Sequence, residues 1–298
     1  MITKKVLLDT DIGNDIDDAF ALAYLLRQPA CELMGITTVS GETNKRAAMA
    51  SAMCQAAGRP DIPIFPGVEQ PLLARQLQPE TTQFPAIAQV PHQEAFPAGK
   101  ALRHMQETIR ANPGDISLLA IGPMTNIALL FAMDPEIPAL LKELVLMCGV
   151  FTYKLQPYLC LSEWNARCDP HATAMVYRAG VPASCSIGLD VTTRTTMGVQ
   201  DIRSRLSGPV GSLLGRFLDA RGAPQTPVTF HDPLAAAVMF EPEVCRFERG
   251  RVRVELESTA LAGLTEWQAE KDGPHSVAFD VNAPAFFRHY WDVLGAQG

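Results

Sequence analysis

The chain has 298 residues, 47% of them hydrophobic, and a formal net charge of −7 at neutral pH. That length buries one large core or two modest ones, and an acidic balance without a basic stripe excludes nucleic acid and anionic membranes as partners. The seven cysteines show no CxxC or metal-type spacing, so they read as reduced core thiols of a cytoplasmic protein. The first residues run straight into a strand pattern without a signal peptide. The most apolar later run, Ala139 to Phe151, carries Lys142 and Glu143 and is too short to span a bilayer.

Along the chain, apolar strand runs alternate with helical periodicity. The pattern predicts strands over 5–9, 32–39, 62–65, 115–121, 143–148 and 183–187. It predicts helices over 17–27, 43–57, 99–111, 125–133, 169–179, 209–220, 232–240 and 283–294. Such alternation implies an α/β fold, with a mainly parallel sheet covered by helices on both faces. Arg246 to Leu256 instead alternates charged and apolar residues, as an antiparallel strand exposed on one face does. No repeat, low-complexity tract or linker divides the chain, so residues 1–298 read as a single domain. Residues 66–98 are rich in Pro and Gln with little periodicity, and long loops of this kind are often functional.

The stretch LLDTDIGNDIDDAFAL holds five carboxylates, Asp9, Asp11, Asp15, Asp17 and Asp18. They lie between a buried strand and a helix, with Gly13 breaking the chain between the two. In open α/β sheets this carboxyl edge is where ligands bind. Like charges gathered there call for a hard divalent cation, which prefers oxygen ligands. Helix capping accounts for one or two of the acids through the macrodipole, but not for Asp9 and Asp11 directly after a buried strand. An EF-hand loop counted from Asp9 fails, because its sixth position is Asn14 and its twelfth Phe20.

Four later segments fit a site around these acids: GITTVSGETN (35–44), AIGPMTNIA (120–128), LSEWNARCDP (161–170) and TFHDPLAAA (229–237). They place Thr125 and Asn126, Glu163 and Asn165, and His231 and Asp232 at strand–helix junctions. Each alone reads equally as a cap; four together favour a site.

With these motifs, and with Met147–Gly149 and the C-terminal VAFDVNAPAFFRHYWDVL, the chain resembles the inosine–uridine-preferring nucleoside hydrolases over nearly its whole length. The resemblance implies a single Rossmann-like domain that hydrolyses the N-glycosidic bond of ribonucleosides at a calcium site, in a homodimer or homotetramer. Carried over to this sequence, Asp11 and Asp18 would hold Ca²⁺, with Asp232 and the backbone carbonyl of Thr125 completing the protein ligands and ribose hydroxyls and water the rest. Asp11 would take the proton of a water acidified by the metal. Asp17, Glu163 and Asn165 would hydrogen-bond the ribose, Met147 and Glu42 would contact the substrate, and a ring of carboxylates would suit an oxocarbenium-like sugar. His231 would be the acid for the departing base, its ordinary pKa lying near neutrality.

The chain departs from the family pattern in four places. Asp15-Ile16 is inserted before Asp17-Asp18, Glu42 stands where many members carry Asn, and residues 66–98 lack the His-Gly loop that many place beside the base, although His92 is nearby. Gln156 and Pro157 occupy the region where an Asn usually precedes the glutamate. Two other readings compete. A Mg²⁺-dependent phosphohydrolase with Asp9 or Asp11 as nucleophile needs a lysine beside the phosphoryl group, and Lys142 and Lys154 are unsupported for that role. A catalytically weak nucleoside- or sugar-binding homologue would keep only the metal cage.

Overall fold

The computed structural model describes residues 3–152, 162–222 and 225–295. The strands are β1 (Lys4–Thr10), β2 (Cys31–Thr38), β3 (Ile64–Pro66), β4 (Ile116–Ala120), β5 (Glu143–Leu146), β6 (Ser184–Ser186), β7 (Thr196–Met197), β8 (Val228–Thr229), β9 (Cys245–Val254), β10 (Thr265–Ala269) and β11 (His275–Val281). The α-helices are α1 (Asp17–Arg27), α2 (Thr43–Ala56), α3 (Ala101–Ala111), α4 (Thr125–Met133), α5 (Ile137–Leu140), α6 (Trp164–Cys168), α7 (Pro170–Arg178), α8 (Leu189–Thr192), α9 (Val199–Arg203), α10 (Gly208–Asp219), α11 (His231–Val238) and α12 (Ala283–Gly295).

Nine strands form one sheet in the order β10-β9-β11-β6-β5-β4-β1-β2-β3, and β7 and β8 pair separately. Pairing is parallel from β3 through to β11. The antiparallel part is β11-β9-β10, as the alternation in 246–256 predicts, and β9 indeed exposes alternate residues. Sequence order runs from β1 outward through β2 to β3, then returns to the other side of β1 with β4. The reversal opens a crevice at the carboxyl ends of β1 and β4, the position where doubly wound sheets bind ligands.

The eight predicted helices and six predicted parallel strands form with shifts of one or two residues at their ends. The strand predicted over 143–148 stops at Leu146, where the chain turns towards Gly149, which has φ +93°. The pattern did not separate β7, β8, β10, β11 or the short helices α5, α6, α8 and α9, which are too brief or too mixed in polarity for periodicity to register. Residues 66–98 are irregular apart from their first residue and a short 3₁₀ turn at Phe84–Ile87. No helix among the described residues is long and apolar enough to cross a membrane. The six described cysteines are free thiols; Cys160, Gln156, Pro157 and Lys154 lie outside the described residues.

The core beneath the crevice is aromatic. Phe230 is fully buried and stacks on Phe20 with ring centroids 5.1 Å apart. Phe286, Phe287, Tyr290 and Trp291 of α12 close around Phe230 at 5.2 to 6.2 Å, and the Tyr290 hydroxyl donates to the Phe20 carbonyl at 2.9 Å. Phe230 immediately precedes α11, and Phe20 lies in the first turn of α1. The cluster therefore fixes the two helix N-termini that carry Asp17, Asp18 and Asp232. Offset and edge-to-face aromatic pairs add to the area that they bury.

Truncating Phe230 to Ala leaves a cavity among these rings and is expected to cost about 3–5 kcal/mol of stability. Phe230→Leu should cost less. Urea unfolding followed by circular dichroism measures both. A Phe230→Ala midpoint close to that of the parent would show that the two helix N-termini are held by something else.

Candidate active site

A cavity of about 490 Å³ opens at the crevice, lined by Asp11, Asp15, Asp17, Asp18, Gln78, Met147, Glu163, Trp164, Asn165, Arg167, His231 and Asp232 among others. Its size falls in the range of roughly 300–1,000 Å³ that suits small-molecule ligands. A larger hollow of about 760 Å³ lies against β9 and α7 and is lined by Arg178, Arg251 and Arg253 with Glu255, Glu257 and Glu266. That hollow stands away from the strand carboxyl ends and holds none of the converging acids, so the chemistry belongs to the smaller one.

Four of the five N-terminal acids reach this cavity. Asp9 does not: it is fully buried, and its Oδ1 accepts from the Thr37 hydroxyl at 2.5 Å and the Asn126 amide at 2.7 Å. Burial pushes its carboxyl up to about 7 against those hydrogen bonds. Asp9 thus ties β1 to β2 and α4. Asp15 stands exposed on the rim.

Asp17, Asp18 and Asp232 converge, with one carboxylate oxygen of each lying within 4.8 Å of the others. The N-cap of α1 is Ile16 and makes no side-chain cap, so neither Asp17 nor Asp18 is held there as a capping residue. Thr10 Oγ1 donates to Asp18 at 2.5 Å, and the Asp232 backbone N–H donates to Asp17. Burial, then the charges of Asp11 and Asp17, hold the Asp18 carboxyl well above the carboxylate range. Burial and the charges of Asp17, Asp18 and Asp11 do the same to Asp232. For Asp17 the causes are burial, Asp15 and Asp11. Groups so placed bind protons unless a cation takes their place, and three carboxylates are the donor set of a hard divalent ion.

Of the expected ligands, Asp18 and Asp232 meet, with Asp17, expected at the sugar, beside them. Asp11 lines the same cavity, and its side chain hydrogen-bonds Asp18. The Thr125 hydroxyl turns to Asp169 at 2.8 Å, which leaves the Thr125 backbone to the site.

Asp11 is held from two sides. The Gln78 amide donates to its Oδ2 at 2.6 Å. The fully buried Arg46 donates to the backbone carbonyls of Asp11 and Ile12, and through Nε to Ser40 O at 2.7 Å. Burial raises the Asp11 carboxyl, while the Arg46 charge and the Gln78 hydrogen bond pull it down. Arg46 Nη2 has no hydrogen-bond partner, so part of this buried cation remains to offset the acids electrostatically.

Across the cavity, Glu163 is the N-cap of α6. Its Oε1 accepts from Asn165 N at 2.7 Å, and its Oε2 from Ala166 N at 3.0 Å and Gly149 N at 3.2 Å. Burial still pushes its carboxyl up to about 7. Asn165 gives its amide hydrogens to the carbonyls of Ile121 at 2.7 Å and Met147 at 3.1 Å, which leaves its Oδ1 as an acceptor. Each residue is therefore both a structural cap or tie and part of the cavity wall, the two roles that the sequence posed as alternatives.

Two expectations need correction. Glu42 does not line the cavity. It accepts from Thr81 N at 2.9 Å and pairs with Lys45 at 2.5 Å, and that hydrogen bond from Lys45 lowers its pKa. Its charge meets a lysine one turn along its own helix rather than a ribose or Arg167. His231 lines the cavity, with Nδ1 2.7 Å from Thr192 Oγ1, but burial pushes its imidazole down to about 4. At neutral pH it is an uncharged ring with one N–H, not an imidazolium. Lys142 is exposed and precedes β5 at the amino end of the sheet, opposite the cavity, so the phosphohydrolase reading lacks its lysine there.

Gln78, Arg46 and Trp164 were not anticipated. Gln78 sits in an aperiodic stretch that offers no pattern. A lone arginine inside the Ala- and Met-rich run of α2 was a usable signal, since a charge on a buried face needs a partner. Trp164 stands between two residues that had been singled out.

Residues 6–288 match the family profile described as inosine-uridine preferring nucleoside hydrolase. A probable uridine nucleosidase 1 of Oryza sativa subsp. japonica is 27% identical, covering 98% of this chain and 97% of its own length. The pyrimidine-specific ribonucleoside hydrolase RihB of Escherichia coli O9:H4 is 28% identical over 89% of this chain and 87% of its own. Among solved structures, a plant nucleoside hydrolase superposes with a TM-score of 0.86 at 23% identity, covering 98% of this chain and 99% of that one. A purine-preferring ribonucleoside hydrolase from Gardnerella vaginalis gives 0.85 at 24%, with 98% of each chain covered; at such identities both show the fold. The acid-lined crevice thus sits in a chain that is matched along nearly its whole length, and the chain belongs to the inosine-uridine preferring nucleoside hydrolase family.

Proposed function

We propose that residues 1–298 form a single nucleoside hydrolase unit that cleaves the N-glycosidic bond of ribonucleosides to free base and ribose. The observation that carries the reading is the convergence of Asp17, Asp18 and Asp232 beside Asp11 in a nucleoside-sized cavity. Asp11, Asp18 and Asp232, with Asp17 beside them and the Thr125 backbone available, would hold a calcium ion. Bound there, the ion would neutralise the acids, take the ribose hydroxyls as ligands and make water more acidic.

The chain's own groups then divide the work. Asp11 accepts the proton of the attacking water as its oxygen bonds to the anomeric carbon. The carbon–nitrogen bond breaks with its electron pair going to the base, and the sugar passes through an oxocarbenium-like state. The surrounding carboxylates stabilise that positive charge. Asn165 Oδ1 and the remaining lone-pair capacity of Glu163 accept from ribose hydroxyls. His231, neutral at the working pH, serves the departing base as a hydrogen-bond donor. The family resemblance supports a homodimer or homotetramer, and the free thiols support a cytoplasmic place, as part of the same reading.

Asp11→Asn should stay folded by circular dichroism and lose about 10²–10⁴-fold in kcat, the usual worth of a general base. Turnover near the parent's would remove Asp11 from that role.

A reducing-sugar assay on a ribonucleoside panel should show turnover that a chelator abolishes and added calcium restores. Ribonucleosides should exceed their 2′-deoxy counterparts in kcat/KM by about 10⁴-fold, because the missing hydroxyl leaves polar site groups unpaired. Equal kcat/KM on both would refute ribose recognition. Calcium-dependent ribose binding without any turnover would favour the binding homologue.

A further inference from the structure

The irregular stretch 66–98 contributes one buried side chain to the cavity floor, Gln78, at 6% exposure. Its amide spans two residues of the site. Nε2 donates to Asp11 Oδ2 at 2.6 Å, and Oε1 accepts from the Trp164 indole at 3.0 Å. The direction of this chain of hydrogen bonds is set by chemistry. An indole N–H donates and never accepts, so the atom facing Trp164 must be the amide oxygen. The atom facing Asp11 is then the NH₂ group. An amide orientation is ordinarily a choice between two nearly identical shapes; here the tryptophan makes the choice.

The backbone around Gln78 is stitched to the same loops that carry the acids. Gln83 N donates to Gly13 O at 2.8 Å, Thr82 N to Asn14 Oδ1 at 3.0 Å, and Thr81 N to Glu42 at 2.9 Å. Gly41, with φ +63°, lies so close that a Cβ there would stand 2.3 Å from the Gln78 carbonyl oxygen. The strap can approach only because that residue is glycine. Upstream, Ser40 N donates to Val68 O at 2.8 Å and Ser40 Oγ to Gln76 Oε1 at 3.2 Å, so Gln78 is delivered to Asp11 by a segment anchored on both sides of it.

We propose that Gln78 is a positioning residue for Asp11, and that Trp164 fixes the direction in which it acts. This rests on the reading of Asp11 as the base. With Oδ2 bound by a charge-assisted hydrogen bond, the carboxylate cannot rotate freely. Its other oxygen, on the Gly122 side where a Cβ would lie 3.0 Å away, is the one presented for chemistry. Trp164 is 46% exposed and lines the cavity, so a residue open to solvent governs the orientation of a group on the buried floor.

Three variants and one cycle test this. Gln78→Glu keeps the shape and still accepts from the indole, but turns a carboxylate towards Asp11. Gln78→Met keeps the length and makes neither hydrogen bond. Trp164→Phe keeps a ring and removes only the donor. Kinetics on one ribonucleoside turned over by the parent, with calcium saturating, should show kcat falling about 10²-fold in Gln78→Glu, as expected when a reacting group is misplaced. Gln78→Met should lose less than Gln78→Glu, and KM should change little in either, since the interaction serves the transition state. Trp164→Phe should lower kcat by a larger factor in the parent than in the Gln78→Met background, the non-additivity of residues acting through one network.

A role confined to anchoring the strap would instead lower thermal stability and raise KM, with Trp164→Phe and Gln78→Met acting independently. That result, or a Gln78→Glu enzyme with the parent's kcat, would overturn the proposal. Asp11→Asn measured in parallel separates the two failures. If Asp11→Asn is inactive while Gln78→Glu is unimpaired, only the positioning role falls. If Asp11→Asn is active, the base assignment falls with it.

Discussion

A carboxylate taken out of water beside other carboxylates is unstable unless protons, hydrogen bonds or a cation offset its charge. Asp11, Asp17, Asp18 and Asp232 are all buried; burial pushes each of them upward, and repulsion from neighbouring acids adds to it at Asp17, Asp18 and Asp232. Against this stand the donors from Thr10, Gln78 and the Asp232 backbone. Hydrogen bonds to charged groups contribute about 1.5–3 kcal/mol each, whereas the effective cost of burying one ion is several kcal/mol. Arg46 narrows the gap, since its charge lowers both Asp11 and Asp18, but it is spent mainly on carbonyls. The remainder is a deficit of positive charge at the point where the three carboxylates converge. Affinity for a cation and the upward shift of these carboxyls are thus two descriptions of one electrostatic fact.

A cage of this kind persists only if the backbone beneath it cannot relax. Strand β1 delivers Asp9 and Asp11 with neighbours hydrogen-bonded on both sides, and Asp9 is spent on locking β1 to β2 and α4. The helix N-termini carrying the other acids are clamped by the rings around Phe230. Close approach of the covering strap needs glycine at two points. Gly13, with φ +125°, packs against Thr81 and Met49, and Gly41 packs against the strap carbonyls. Side chains at either position would push the strap, and Gln78 with it, away from Asp11. Distant packing and a glycine conformation thereby reach the reacting group.

The parts of this arrangement that were legible in the sequence are those with a period or a density. Apolar runs marked the parallel strands, the 3.6-residue period marked the long helices, and five acids in ten residues marked the crevice. The motifs named Asp11, Asp17, Asp18, Glu163, Asn165, His231 and Asp232, and all seven line the cavity. What was illegible depends on three-dimensional approach. How the carboxylates of Asp11 and Asp17 sit around Asp18 and Asp232 is decided by how a loop closes, and no spacing rule encodes that. Glu42 was placed near a sugar because it stands where many family members carry Asn, yet a lysine three residues along captures it. The neutrality of His231 follows from burial, which an isolated sequence does not report. Gln78 has no local signature, because its partners are 67 and 86 residues away.

The two ends of the cavity are built differently, and this bears on what the fold can specify. The acid floor rests on strand ends and clamped helix starts, where a displacement breaks ladder hydrogen bonds or opens the aromatic core. The covering side rests on an aperiodic strap and on α6, a helix of five residues, where side chains change without such penalties. A solved structure named as purine-preferring and one named as inosine-uridine preferring share this chain's fold, at TM-scores of 0.85 and 0.77. The fold therefore leaves the base unspecified, and function has to be read from the site grafted on it. In this chain the strap reaches the floor as well, because Gln78 joins Trp164 to Asp11. If Asp11 is the base, as proposed, a substitution in the strap that moves Gln78 also moves the carboxylate that activates water. The covering side of the cavity and the rate of cleavage are then not independent variables, because the Gln78 amide joins one to the other.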